Sequence, residues 1–128
     1  MAYLLAYLLA ALGGAVGALA RWGIAEALPG SAGGWPWATL LVNLTGCFLL
    51  GVLLAVLGSR SPEPAWAKPF LGVGVLGGYT TFSAFGVEVV QLAENGAFAL
   101  AGGYLLLSVV GGVLAVGAGA VTARRVVR

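Results

Sequence analysis

The feature that most constrains the fold of this chain is a succession of four long apolar segments separated by short polar breaks. A helix that crosses a bilayer needs roughly 20 consecutive apolar residues. Four segments meet that length, and the sequence predicts spans at Ala2–Leu28, Trp37–Gly58, Ala67–Leu92 and Ala97–Ala123. Together they leave almost no residues for a domain outside the membrane. We therefore predict an all-α membrane protein that consists of one four-helix transmembrane domain, residues 1–128.

The composition excludes the main alternatives to a membrane protein. Hydrophobic residues make up 61% of the 128 residues and charged residues 8%, whereas a soluble domain usually has about 25% charged residues. So few charges cannot cover a surface that faces water. Disorder is excluded as well, because disordered chains are poor in hydrophobic residues.

The breaks between the predicted spans carry turn-forming and polar residues, and they lie at Pro29–Gly34, Ser59–Pro64 and Glu94–Gly96. Lys and Arg concentrate in the cytoplasmic loops of membrane proteins. Five of the 6 basic residues fall on the side that holds both termini and the middle loop: Arg60, Lys68, Arg124, Arg125 and Arg128. This bias predicts that both termini lie in the cytoplasm.

The residue types that are missing narrow the chemistry. The sequence contains no His and only one Cys, Cys47, so an imidazole base, an internal disulfide and a thiolate cluster are all excluded. Glu88 and Glu94 do not pair convincingly with Cys47, and we predict that the chain is not an enzyme. The net charge of +2 is too small and too scattered for nucleic-acid binding, and no nucleotide-binding motif is present.

Small and polar residues form rows inside three of the predicted spans, at the spacing that places them on one helix face. The rows are Gly13, Gly17 and Arg21 in the first span, Thr39, Asn43, Cys47 and Gly51 in the second, and Tyr104, Ser108 and Gly112 in the fourth. Small residues let helices approach closely. A charge at membrane depth is expensive, so Arg21 either reaches the interface or a structural partner, or meets an anion. Asn43 is either a link between helices or a donor that lines a pore.

The third predicted span is the most informative, because Gly74–Phe85 contains several Gly and Thr residues that weaken a helix. A break here, which we place at Gly77 and Gly78, would free backbone carbonyls. Freed carbonyls suit a small monovalent cation, as in transporters with broken helices. Phe82 and Phe85 follow on one face. They either pack or offer the electropositive edges of their rings to an anion.

Two classes of function remain open from these residues. A small ion channel or transporter explains neutral polar residues that line several spans, and a purely structural membrane subunit explains the small-residue rows. Neutral donors with aromatic edges favour a small anion over protons or large substrates. Four spans enclose little volume, so a pore would need more than one subunit.

Three motifs resemble the signatures of one membrane-protein family. They are Gly13–Trp22, Thr39–Phe48 and Gly74–Phe85. In this order, and in a four-span chain of this length, they are similar to the Fluc (CrcB-type) fluoride channels. The resemblance covers essentially the whole chain.

The resemblance implies a passive channel that exports fluoride across the bacterial plasma (inner) membrane, as an antiparallel, dual-topology homodimer embedded in membrane lipid. The third helix of each subunit is broken at mid-membrane. A structural Na⁺ lies there at the dimer centre, held by backbone carbonyls that map to Gly77 and Thr80. Dual topology needs nearly balanced basic residues, whereas the charge bias taken alone favours a single orientation.

The resemblance also implies roles for individual residues. Phe82 and Phe85 are similar to a pair whose ring edges face the ions, and Asn43 is similar to a pore donor. Tyr104 and Ser108 resemble a polar track on the fourth helix. The family commonly has a hydroxyl residue where this chain has Ala84, and often another near Gly112, so the track is shorter here or is completed by Thr80, Thr81 and Ser83. Arg21 matches the family's arginine, and Glu88 is predicted at a pore mouth.

Overall fold

The computed structural model describes residues 2–30 and 33–126, and every regular element in these ranges is helical. The elements are α1 (Ala2–Ala27), α2 (Trp37–Gly58), a π-helical segment (Lys68–Leu76), α3 (Gly77–Tyr79), α4 (Phe82–Glu94) and α5 (Phe98–Val126). Four helical stretches are long and apolar enough to cross a membrane, and the third comprises the π-helical segment, α3 and α4. The four predicted spans are therefore confirmed. Ser31, Ala32 and Arg128, which entered the loop and charge arguments, lie outside the described residues.

Local sequence signals explain where the helices end. α1 stops two residues before Pro29, as expected because proline disfavours helical backbone in the residue before it. α4 ends in a turn at Gly96, whose φ of 78° lies in the left-handed region that glycine adopts without strain. In this turn the N–H of Ala97 donates to the Leu92 carbonyl at 2.9 Å, which starts α5 beside the end of α4.

Glycines bring α1 into backbone contact with the third span. A Cβ atom on Gly17 would overlap the Val75 carbonyl, and one on Gly13 would overlap the Phe70 carbonyl. From the other side, Gly78 lies directly against the backbone of Gly14. The predicted row on the first span is therefore a helix–helix contact, and it points Arg21, the next residue in the row, at the same partner.

A second close contact joins α2 to α5. A Cβ on Gly51 would overlap the Val116 carbonyl, and one on Gly119 would overlap the Phe48 carbonyl. Gly112 lies near the Cys47 sulfur, where a Cβ would come to 3.4 Å. The small residues predicted on the second and fourth spans thus face each other, as helices in a membrane require for close packing.

Two residues interrupt the third span, and they are not the predicted ones. Thr80 (φ −76°, ψ 158°) and Thr81 (φ −146°, ψ 123°) have extended backbone, whereas Gly77 begins α3 with ordinary helical angles. The bend between the two halves is small. The prediction that the break lies at Gly77 and Gly78 is therefore wrong by three residues. Extended backbone needs no glycine, and threonine favours it because its side chain branches at Cβ.

Candidate ion-conduction site

Asn43 of α2 holds the interruption at Thr80 and Thr81. Its Oδ1 accepts a hydrogen bond from the N–H of Thr81 at 2.8 Å, and its Nδ2 donates to the carbonyl of Thr81 at 2.9 Å. An amide side chain thus replaces the helical bonds that the extended backbone has given up. The sequence left open whether Asn43 links helices or lines a pore. In the structure Asn43 links α2 to the third span, and its side chain also borders the groove described below.

Backbone carbonyls are freed at the interruption. The N–H of Thr81 binds Asn43 rather than the Gly77 carbonyl four residues earlier. The N–H of Ala84 donates to the Thr81 hydroxyl at 3.2 Å rather than to the Thr80 carbonyl. Gly77 and Thr80 therefore keep carbonyl oxygens without their helical partners, which are suitable ligands for a small hard cation.

Arg21 lies at the same interruption. Its Nε donates to the carbonyl of Gly78 at 3.1 Å. Of the two alternatives open from the sequence, the structure gives Arg21 a structural partner on the protein backbone.

A groove of about 400 Å³ lies beside the interruption, where α2, the third span and α5 meet. The groove brings together most of the predicted pore residues and both predicted cation-site residues. The pore residues are Asn43, Thr81, Phe82, Phe85 and Ser108, and the cation-site residues are Gly77 and Thr80. Ser83 is not among its lining residues. It is exposed, and its hydroxyl lies 3.3 Å from that of Thr81.

Aromatic rings form one wall of this groove. The ring centroids of Phe82 and Phe85 are 5.9 Å apart, and Phe85 meets Tyr104 edge to face at 5.2 Å. Phe82 is 84% exposed. One side of the groove is thus open to whatever covers Phe82 in the membrane.

Tyr104, which was predicted on the polar track, is not among the residues that line the groove. It is fully buried, and its hydroxyl donates to Oε2 of Glu88 at 2.6 Å. The other oxygen of Glu88 accepts from the Thr39 hydroxyl at 2.7 Å. The Tyr104 hydroxyl, which was predicted to donate to an ion, therefore donates to a carboxylate here. Thr39 was absent from the predicted site, although its place one turn before Asn43 on the polar row was a usable signal.

Ser108 remains as a donor on α5. Its Oγ is a buried polar atom that has no hydrogen-bond partner among the described residues, and it borders the groove one helical turn after Tyr104. A buried hydroxyl without a partner is unfavourable, so this atom is available to donate to a group in the groove.

A second cavity, of about 690 Å³, opens at the end of the bundle where α1 and α4 finish and α2 begins. Thr39, Glu88 and Trp35 border it. Asn43, one turn after Thr39 on α2, and Phe85, about one turn before Glu88 on α4, border the groove instead. The hydrogen-bonded cluster of Thr39, Glu88 and Tyr104 thus lies between the two cavities. The place of Glu88 at a pore mouth stays a prediction.

Comparison with known proteins assigns the family. The family model described as "CrcB-like protein, Camphor Resistance (CrcB)" matches residues 8–120. The chain belongs to the CrcB-like family. Every residue of the groove and of the cluster around Glu88 lies within the matched range.

Several CrcB-like relatives have names that state an activity. A protein of Bordetella petrii, "Fluoride-specific ion channel FluC", is 50% identical over 82% of this chain and 80% of its own. "Fluoride-specific ion channel FluC 2" of Nocardia farcinica is 46% identical over 84% of this chain and 79% of its own. A Bordetella bronchiseptica protein of the first name is 40% identical over 95% and 94% of the two chains. These are names of channels and not of enzymes, which agrees with the exclusion of catalysis.

Proposed function

We propose that this chain is a fluoride-specific passive ion channel of the bacterial inner membrane, which exports fluoride from the cytoplasm and so limits its toxicity. The observation that carries the proposal is the 40–50% identity, over more than four fifths of the chain, to relatives named fluoride-specific ion channels. Fluoride is the transported ion in this proposal, and lipid surrounds the spans.

The lining of the groove supports a small anion. It offers amide and hydroxyl groups and phenylalanine rings, and it has no ionised side chain among the residues that border it. Hydrogen-bond donors replace the water that a small anion must give up on entry. A neutral lining keeps binding weak enough for the ion to leave, which fast passage requires.

Passive export follows from the chemistry of fluoride and the absence of a coupling chain. Neutral HF crosses into an acidified cell and dissociates inside. A membrane that is negative inside then drives the anion outward through any selective pore. The described residues contain no series of carboxylates along the spans that could couple the flow of fluoride to proton transport.

The active form in this proposal is an antiparallel homodimer with a structural Na⁺ at its centre. Phe82 and the open side of the groove supply a surface for a second copy. The freed carbonyls of Gly77 and Thr80 fit the cation, and the described residues hold no cluster of His, Cys, Asp and Glu that would compete for it. When bound, the cation would raise the electrostatic potential for anions in a low-dielectric setting.

The test is an efflux assay on purified protein in liposomes, read with a fluoride electrode and with chloride as the control ion. We expect fluoride to leave rapidly and chloride to be retained. Equal passage of chloride would identify a small-anion channel of another selectivity. Retention of both ions by folded protein would favour a structural membrane subunit.

A further inference from the structure

Arg21 places a cationic side chain at the end of a helix inside the membrane. α3 ends at Tyr79, and its last carbonyls have no helical partners because the backbone then becomes extended. The Arg21 Nε donates to one of them, the Gly78 carbonyl. A cation at the C-terminal end of a helix is favourable, since that end carries partial negative charge.

The carbonyls around the interruption differ in their hydrogen-bond partners. Gly78 is satisfied by Arg21, and the carbonyl of Thr81 is satisfied by Asn43. The carbonyls of Gly77 and Thr80 have lost their helical donors to other acceptors. Arg21 from α1 thus binds the carbonyl two residues before Thr80, and Asn43 from α2 binds the carbonyl of the residue after it.

From this arrangement we infer that Arg21 is a positioning residue for the cation site, which rests on the proposed function. By binding the Gly78 carbonyl, Arg21 keeps α3 from continuing across the interruption. It also takes the Gly78 carbonyl out of competition for the cation, so that Gly77 and Thr80 remain among the carbonyls free to bind it. Arg21 meets neither the cation nor the fluoride in this scheme.

The close packing of α1 on the third span allows the Arg21 side chain to reach the Gly78 carbonyl. Gly13 and Gly17 hold α1 in backbone contact with the third span, and Gly14 touches Gly78 itself. Arg21 is the next residue of the same row, so its guanidinium lies beside the span rather than at the membrane surface. The donating Nε is fixed close to the stem of the side chain. A lysine carries its charge at the tip of a flexible stem and would not reproduce this bond.

The test compares R21Q and R21K with R60Q, a control that neutralises an exposed arginine in the loop after α2. Each protein is purified and its thermal unfolding midpoint is measured in sodium and in a bulky organic cation. A cation that binds only the folded protein raises the midpoint. Fluoride efflux from liposomes is measured in parallel.

We expect the wild type and R60Q to show the same rise of the midpoint in sodium and the same efflux. R21Q should lose most of the sodium-dependent rise, and its efflux should fall about tenfold or more. R21K should resemble R21Q more than the wild type. An undiminished sodium response in folded R21Q would overturn the inference while leaving the cation site intact. Full recovery in R21K would overturn it by showing that charge alone suffices. A wild type without a sodium response would instead reject the cation site, and the inference with it.

Discussion

Asn43 and Thr81 are joined by two hydrogen bonds, with the side-chain amide of one residue pairing with both backbone polar groups of the other. The pairing resembles one rung of a β-ladder placed between a helix and an interrupted helix. It satisfies the polar groups of extended backbone within a membrane span, which lipid could not satisfy. The same amide borders the groove, so one residue supports both the shape of the third span and the lining of the candidate pore.

Replacing Asn43 by Ala should reduce fluoride efflux about tenfold or more, which corresponds to a barrier increase of about 1.4 kcal/mol. The substitution removes a donor from the groove and leaves both polar groups of Thr81 unpaired. Efflux from liposomes measures the effect, with Asn95→Ala as the control, because Asn95 lies exposed in the turn after α4. Wild-type efflux in a folded Asn43→Ala protein would contradict the assignment.

Phe82→Ile should also reduce efflux about tenfold while the protein stays folded. The substitution keeps an apolar side chain of intermediate size but removes the electropositive ring edge that an anion would meet. Phe98→Ile is the matched control, since Phe98 is similarly exposed at the start of α5. Equal losses in the two variants would indicate a general effect of phenylalanine removal rather than a role in the pore.

Tyr104→Phe should lower the free energy of unfolding by about 1–3 kcal/mol. The change leaves one oxygen of the Glu88 carboxylate without the donor that Tyr104 supplies. The midpoint of thermal unfolding measures the loss, and Tyr7→Phe, which alters an exposed tyrosine of α1, should leave it unchanged. Combining Tyr104→Phe with Glu88→Gln should cost less than the sum of the single losses, because the two residues share one bond.

Gly119→Ala and Gly117→Ala should change stability in opposite directions. A Cβ on Gly119 would overlap the Phe48 carbonyl, so the helices must separate, at a cost of about 1–3 kcal/mol. Nothing lies within 4 Å of a Cβ on Gly117, so alanine there should stabilise the helix by about 0.5–1 kcal/mol. Unfolding midpoints of the two proteins would test the packing of α2 on α5. A destabilised Gly117→Ala protein would show that a partner covers that face.

Ser108→Ala should lower fluoride efflux without lowering the stability of the protein. The substitution removes a buried hydroxyl without a partner among the described residues, so the protein should be unchanged or more stable by about 1 kcal/mol. Efflux should nevertheless fall, because the groove loses a donor. Ser59→Ala, at an exposed position after α2, is the control for efflux. A stability loss in Ser108→Ala would mean that the hydroxyl has a protein partner in the assembled channel.

The spans and their packing could be predicted because both depend on patterns along a single helix. Apolar length marked the spans, and the i+4 rows of Gly13 and Gly17 and of Thr39 and Asn43 marked the faces that meet other helices. The family was predicted correctly from three motifs, and the matched range bears this out.

The parts that the sequence did not reveal depend on side chains that meet across different helices. Glu88, Thr39 and Tyr104 come from three helices, and no spacing along the chain relates them. The break was misplaced because helix propensity counts glycine as the weakest point. The structure uses Gly78 for close approach to Gly14 instead, and it places the extended residues where a side chain on α2 can bind them.

The two side chains from other helices that bind the interruption of the third span both precede it in the chain. Arg21 belongs to the first span and Asn43 to the second, so both are synthesised before Thr80 and Thr81. A backbone group that enters hydrocarbon without a partner costs several kcal/mol. Chain order therefore has a consequence for biogenesis: when Thr80 and Thr81 enter the bilayer, the two side chains that bind this part of the backbone have already been synthesised.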